Sequence, residues 1–250
     1  MRRGNGGERG PGRRSGDGSH AERSQKRLGS LLNSLRAAVL GANDGIISTA
    51  GLVVGVAGAT THRDALLVAG VAGTVAGALS MAAGEYVSVS TQRDTERAAI
   101  AREREELAAD PGGELEELAG MYRERGLSDR LSHEVAKELT EHNALRAHVE
   151  VELGLNEYRV NPWQAAGASM VSFFLGALIP LSAMLLSADA WRLPVTVVAV
   201  LFATGLLGAV SARLGGALPL RAALRCVVGG SFAMVVTYLI GSLLGTATGL

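Results

Sequence analysis

Five long stretches almost free of charge dominate what this chain can fold into: residues 37–60, 65–89, 163–187, 193–212 and 218–244. A helix of about 20 apolar residues crosses the hydrocarbon core of a bilayer, and soluble cores rarely need runs of that length. The expected fold class is therefore an all-α membrane protein with five transmembrane helices. No strand pattern stands out anywhere. The 24 basic and 24 acidic side chains cancel overall, yet nearly all lie in the first 36 residues and in 91–160. The one cysteine, Cys226, falls inside an apolar stretch. A lone cysteine offers neither a disulfide framework nor a thiolate metal site, so it reads as a packing residue.

Four segments are expected: a disordered cytosolic tail over 1–30, spans one and two over 31–90, a cytosolic helical domain over 91–160, and spans three to five over 161–250. The tail is rich in Gly, Arg and Ser. It lacks the apolar stretch and cleavage site of a secretory signal. With no folded basic module behind its arginines, nucleic acid is not an expected partner. The links at 61–64 and 188–192 are short, so the spans they join should be antiparallel neighbours. Arg23, Lys26, Arg27 and Arg36 precede the first span, and Arg213, Arg221 and Arg225 lie between the fourth and fifth, whereas the opposite links carry only Arg63 and Arg192. The excess of basic residues places the N-terminus and 91–160 in the cytosol and the C-terminus outside. Gly51 with Gly55, and Gly73 with Gly77, are spaced four apart. Such pairs let helix backbones approach closely in lipid, and they are the expected contact of a homodimer held by the first two spans.

Within 91–160 a charged helix over 91–109 should continue directly from the second span. Asp110-Pro111 supplies an N-cap and a first-turn proline for a helix reaching about Gly126. Ser128 should cap a third helix to about His142. A fourth should run over 143–153 and stop at Gly154.

Two groups of side chains carry chemistry. Asp44 lies about 10 Å into the first helix, and Glu85 lies a similar distance before the second leaves the membrane. Because the helices are antiparallel, the two carboxylates reach nearly the same depth, and Met81, four residues before Glu85, shares its face. A carboxylate at that depth is costly unless paired or hydrated. The competing reading is that the acids snorkel to the interface or pair with Arg36 or Arg93. In the charged segment, Glu103 with Glu106 and Glu114 with Glu117 are spaced i,i+3, so each pair shares a helix face. The turn at 110–113 folds the second pair back toward the first. Four converging carboxylates repel unless a cation sits between them. His148 and Glu152, spaced i,i+4, can add a nitrogen and an oxygen. Such donors suit Fe²⁺, Mn²⁺ or Zn²⁺. The plainer reading has these acids solvated and paired with Arg102, Arg104, Arg123 or Arg125. His133 and His142 are assigned no role. No Glu-x-x-His step occurs, which argues against a ferritin-like di-iron oxidase.

These residues resemble the vacuolar iron transporter family from about Leu31 to the C-terminus. The matching stretches are Gly41-Ala42-Asn43-Asp44-Gly45-Ile46-Ile47-Ser48-Thr49, Ser80-Met81-Ala82-Ala83-Gly84-Glu85-Tyr86-Val87-Ser88, Glu114-Leu115-Glu116-Glu117-Leu118 with Tyr122 and Arg125-Gly126-Leu127-Ser128, and Glu152-Leu153-Gly154-Leu155. The resemblance implies a proton-coupled exporter of Fe²⁺, sometimes of Mn²⁺, from the cytosol. It implies a homodimer with its pore at the subunit interface and Asp44, Met81 and Glu85 as pore ligands. It also implies a cytosolic metal-binding domain using Glu103, Glu106, Glu114, Glu117 and Glu152. One departure stands out. Plant-like members carry two methionines before the last of these glutamates, where this chain has Ala147-His148-Val149-Glu150-Val151. Either His148 takes over as a ligand or the site is harder and less iron-selective.

The expectation is thus a transporter, not an enzyme, with no resident cofactor. It would bind and carry Fe²⁺, with Mn²⁺, Zn²⁺ and Co²⁺ as candidate ions, in exchange for protons across a plasma membrane. The rival readings are a Mn²⁺ or broad divalent exporter, and a membrane metal sensor that does not transport.

Overall fold

A computed structural model describes residues 17–155 and 161–248. Seven α-helices follow in order: α1 (Asp17–Ala59), α2 (Arg63–Ala109), α3 (Pro111–Glu124), α4 (Asp129–Val151), α5 (Pro162–Leu186), α6 (Arg192–Leu214) and α7 (Pro219–Thr248), with a single 3₁₀ turn (Asp189–Trp191) before α6. No strand occurs among the described residues. Five helical stretches are long and apolar enough to cross a membrane: Arg36–Ala59, Arg63–Ala109, Pro162–Leu186, Asp189–Leu214 and Pro219–Ala247. The chain is an integral membrane protein of the all-α class. Helix α1 begins at Asp17, within the stretch read as a tail.

Two arginines tie the short links together. Arg63 donates to the carbonyl of Leu185 at the end of α5. Arg192, nearly buried, donates to Thr61 O at 3.4 Å and pairs with Asp189 at 2.5 Å. These are the two basic residues of the links that carry little positive charge; Arg63 meets a backbone carbonyl freed at a helix end, and Arg192 meets one of the link before α2.

The packing corrects one expectation. Helices α1 and α2 do meet near their link, where Leu52 and Val53 fill the space beside Gly73 and Gly70. Nearer the other end α5 comes between them: the backbone of Phe173 lies against Gly45 of α1, and its ring lies against Gly77 of α2. A side chain at either glycine would collide with this residue. The reason is local. Gly41, Gly45 and, across the contact, Gly176 strip both surfaces to backbone, so α5 approaches α1 more closely than α2 does. The glycines expected to serve a second copy are likewise used within the chain. Gly55 faces Thr237 of α7, with 3.2 Å from its would-be Cβ to the Thr237 carbonyl, and Gly51 faces the same threonine. Gly51, Gly55, Gly73 and Gly77, read from the sequence as the contact of a dimer, each face α1, α5 or α7 of their own chain. Helix α2 buries only a narrow stripe in the membrane half, Leu66, Gly70, Thr74 and Ala78, and leaves Val68, Val71, Val75 and Leu79 exposed.

Between the second and third apolar helices the chain forms a helical unit. Helix α2 continues unbroken for 47 residues into it. Asp110 then caps α3, its Oδ1 accepting from Gly113 N at 2.9 Å, and Pro111 occupies the first turn. Gly126, at φ +96°, reverses the chain in the left-handed conformation that glycine adopts without strain. Ser128 stands at the cap position of α4, but its hydroxyl makes no capping bond. Helix α4 is broken at Asn143, whose backbone is extended and whose Oδ1 accepts from Arg146 N at 3.0 Å. The expected start of a fourth helix at Asn143 is thus the observed break. Leu118, Ala119, Ala136 and Ala147 close a small core between α3 and α4.

Candidate metal centre

Three segments meet at one point of this unit. The far end of α2 brings Glu103, the first turn of α3 brings Glu114, and the end of α4 brings His148 and Glu152. Each placement follows from a local device already described. The Asp110 cap returns α3 beside α2, and the break at Asn143 re-aims the last part of α4. Arg125 holds that part down by donating to Val151 O at 2.9 Å.

The Nδ1 atom of His148 lies 3.0 Å from Glu103 Oε1, 3.3 Å from Glu152 Oε2 and 3.7 Å from Glu114 Oε2. Glu103 is 2% exposed and His148 0%, so neither can turn to solvent instead. Glu114 and Glu152 lie progressively nearer the surface. A neutral imidazole has one N–H and cannot satisfy three carboxylates. Glu103 Oε1 and His148 Nε2 are both buried without a hydrogen-bond partner. Burial, then the charge of Glu152, pushes the Glu103 carboxyl up to about 7 against the pull of His148. Glu114 is raised too, by burial first and then by Glu117, with Glu106 and Glu152 adding to it. These are acids crowded into one place, which one divalent cation would relieve by displacing their protons. Glu103, Glu114 and His148 each offer a ligand atom within 4.8 Å of the others. The donor set, carboxylate oxygen with imidazole nitrogen, fits Fe²⁺, Mn²⁺ or Zn²⁺.

The other two expected ligands stand at the rim. Glu106 is half-buried and bonds to Arg102 at 3.0 Å. Glu117 is exposed and acts on Glu114 only through its charge. Of the remaining arginines named as partners of these acids, Arg123 pairs with Glu116 and Asp129 instead.

The intramembrane trio is a different case. Asp44, Met81 and Glu85 are each half-buried. Met81 packs on the cluster of Ala78, Phe173 and Ala177. Phe173 thus stands between the helices that carry the trio. Among the described residues of a single chain, the one group of three acidic or imidazole ligands is Glu103, Glu114 and His148, and neither Asp44 nor Glu85 joins such a group.

The sequence profile of the VIT family matches residues 35–242, which takes in both groups of side chains. The chain belongs to the VIT family. Its similarity to individual relatives is spread over most of its length. It is 41% identical over 211 residues to a vacuolar iron transporter of Acanthamoeba castellanii, covering 84% of this chain and 78% of that one. It is 39% identical over 239 residues to vacuolar iron transporter homolog 1 of Oryza sativa subsp. japonica, covering 94% and 82%. It is 36% identical over 213 residues to vacuolar iron transporter homolog 3 of Arabidopsis thaliana, covering 85% and 84%. Two residues of this VIT-family chain shape the sites without having been expected to. Phe173 sets the spacing of α1 and α2, and its only sequence signal is the run of glycines opposite it. Asn143 aims His148, and its signal is that of any Asn at a helix start.

Proposed function

We propose that this chain carries a divalent transition metal ion, Fe²⁺ before Mn²⁺, out of the cytosol in exchange for protons. The observation that carries the reading is the buried cluster of Glu103, Glu114 and His148, joined by Glu152. It is an oxygen-rich site in which burial and crowding push the Glu103 carboxyl up to about 7 and raise that of Glu114 as well, so that a cation is needed to balance them. Family membership and relatives named as vacuolar iron transporters support iron as the cargo. In this reading the α3–α4 unit lies in the cytosol, where it collects the ion. Asp44, Met81 and Glu85 then take it across, and a carboxylate that exchanges metal for a proton couples the two flows. The distribution of Lys and Arg supports a cytosolic N-terminus and an external C-terminus.

The same reading includes a homodimer. The trio in one chain supplies two carboxylates and one thioether, too few donors to replace the hydration of a divalent ion in low dielectric. A second copy doubles them. The broad uncovered face of α2 supports such a contact.

The test is uptake into proteoliposomes supplied externally with Fe²⁺, Mn²⁺, Zn²⁺ or Co²⁺ in turn, with and without an imposed pH gradient. Expected is flux of Fe²⁺ that the gradient accelerates, with proton movement in the opposite direction. Saturable metal binding to the purified chain without flux of any of the four ions would overturn transport in favour of a sensor.

A further inference from the structure

Where α2 leaves the membrane and α5 enters it, a cavity of about 260 Å³ lies between the two helices. Tyr86, Ser90, Arg93 and Arg97 line it from α2, at steps of four, three and four residues, so they form one stripe of that helix. Asp94 lines it beside them, and Asn161 and Trp163 close it from the start of α5. The stripe is graded in polarity. The ring of Tyr86 packs 4.6 Å from that of Trp163, which remains 73% exposed. An exposed tryptophan at the end of a span marks the boundary between hydrocarbon and headgroups. Arg93 and Arg97 follow Tyr86 by about 10 Å and about 16 Å of helix. Helical side chains lean toward the N-terminus of their helix, which for α2 is toward the bilayer, so both guanidinium groups reach back to headgroup level.

The acids nearby are engaged or outnumbered. Glu96 is held by Gln92 at 2.9 Å. Asp94 pairs with Arg97 at 3.3 Å, with both side chains exposed. Among the described residues no ion pair occupies Arg93. The cavity therefore holds two guanidinium groups against one carboxylate. The helix end of α5 is capped from within, Asn161 Oδ1 accepting from Trp163 N at 3.0 Å, so the arginines and not the helix terminus are what would draw an anion.

We propose that this cavity holds the headgroup of an anionic phospholipid that ends in hydroxyls, phosphatidylglycerol being the simplest. The phosphate sits against Arg93, a hydroxyl donates to Asp94, and the acyl chains pass Trp163 into the bilayer. Guanidinium forks match phosphate oxygens, and basic pockets at membrane helices take anionic headgroups for that reason. The volume admits a phosphate and its glycerol, while the chains stay in the lipid. A free anion would use the arginines alone; the aromatic edge beside them favours a lipid. An occupant would tie α2 to α5 just before α2 runs out to the metal centre.

The chain has two tryptophans, and Trp191 lies in the link at the far end of α5. The full-length Trp191→Phe variant thus carries a single tryptophan, at the cavity. It is reconstituted in phosphatidylcholine vesicles containing a small fraction of lipid brominated on its acyl chains, as phosphatidylglycerol, phosphatidylethanolamine or phosphatidylcholine, and quenching of its emission is measured. The relative binding constant should favour phosphatidylglycerol about fivefold, the worth of one basic side chain at an anionic membrane surface, with the other two lipids alike. Adding Arg93→Gln should remove most of this preference and Arg93→Lys should keep it. Arg97→Gln should cost less, because Asp94 already meets part of that charge. Equal quenching by all three lipids would overturn the proposal, whether or not any arginine variant folds. So would phosphatidylethanolamine matching phosphatidylglycerol, which would put an ammonium on Asp94, or loss of the preference in millimolar inorganic phosphate, which would make the site one for free anions. An unchanged preference in a folded Arg93→Gln variant would overturn it as well.

Discussion

The two acidic groups of this molecule differ in how complete they are. The cluster around His148 is assembled inside one chain, from three helix segments, with a histidine nitrogen within 3.7 Å of three carboxylates. The trio of Asp44, Met81 and Glu85, expected from the sequence to share one depth, forms no such group within one chain, and Phe173 stands between its helices. A site for capture gains from being closed and self-sufficient, because it must bind in the presence of water. A site for passage cannot be so tight, because an ion that is held by a full set of fixed ligands does not leave. The contrast predicts that damage to the two groups will be separable.

The largest separation should come from Asp44→Asn, which keeps size and removes charge. Iron flux into proteoliposomes should fall at least about a hundredfold, by loss of a charge that offsets desolvation of the ion, while calorimetry on the purified chain shows unchanged binding at the cluster. Near-normal flux would mean that the carboxylate is structural.

The converse change is Glu103→Gln. Metal affinity of the full chain, titrated with Mn²⁺ to avoid oxidation, should drop about tenfold to a hundredfold, the range in which even outer partners of metal ligands act. The metal-free protein should become more stable at neutral pH, because the variant removes a buried carboxylate that resists ionising. Loss of stability instead would show that Glu103 is held by a partner rather than by a cation.

A third expectation concerns pH. Glu103 has its carboxyl raised from 4.5 to about 7, so between those values the folded chain holds a proton that the unfolded chain has lost. The contribution to stability is fully present below 4.5 and is lost as pH rises to about 7. Metal must displace that proton, so affinity should fall about tenfold per unit below pH 7. A flat profile between pH 5 and about 7 would place the bound ion elsewhere. The smallest effect belongs to the rim. Glu117→Gln should change affinity less than about threefold, as for an exposed charge acting through solvent; a loss as large as that of Glu103→Gln would restore it to the ligand set.

Much of this was legible from residue order. Apolar length marked the five membrane helices, and Asp110-Pro111 marked the turn that brings Glu114 back toward α2, because both signals are local. Glu106 and Glu117 were harder to rank. Spacing says that they share a face with Glu103 and Glu114, but not that Glu106 would turn to Arg102 while Glu103 was covered by α4. The partners of the glycines were not legible at all. A Gly-x-x-x-Gly pair states that some backbone comes close, and only the folded chain says that for Gly55 it is that of Thr237.

One consequence follows from the unbroken length of α2. Glu85 and Glu103 are 18 residues apart on it, which at 3.6 residues per turn is about five whole turns, or about 27 Å. The two carboxylates therefore share an azimuth on a single rod. Reading outward from the bilayer, α2 acts as a ruler with phase as well as length: adding one residue between them would swing the cluster about 100° out of line with the membrane acids without disturbing either locally. Registry, rather than proximity, is what α2 maintains between Glu85 and Glu103.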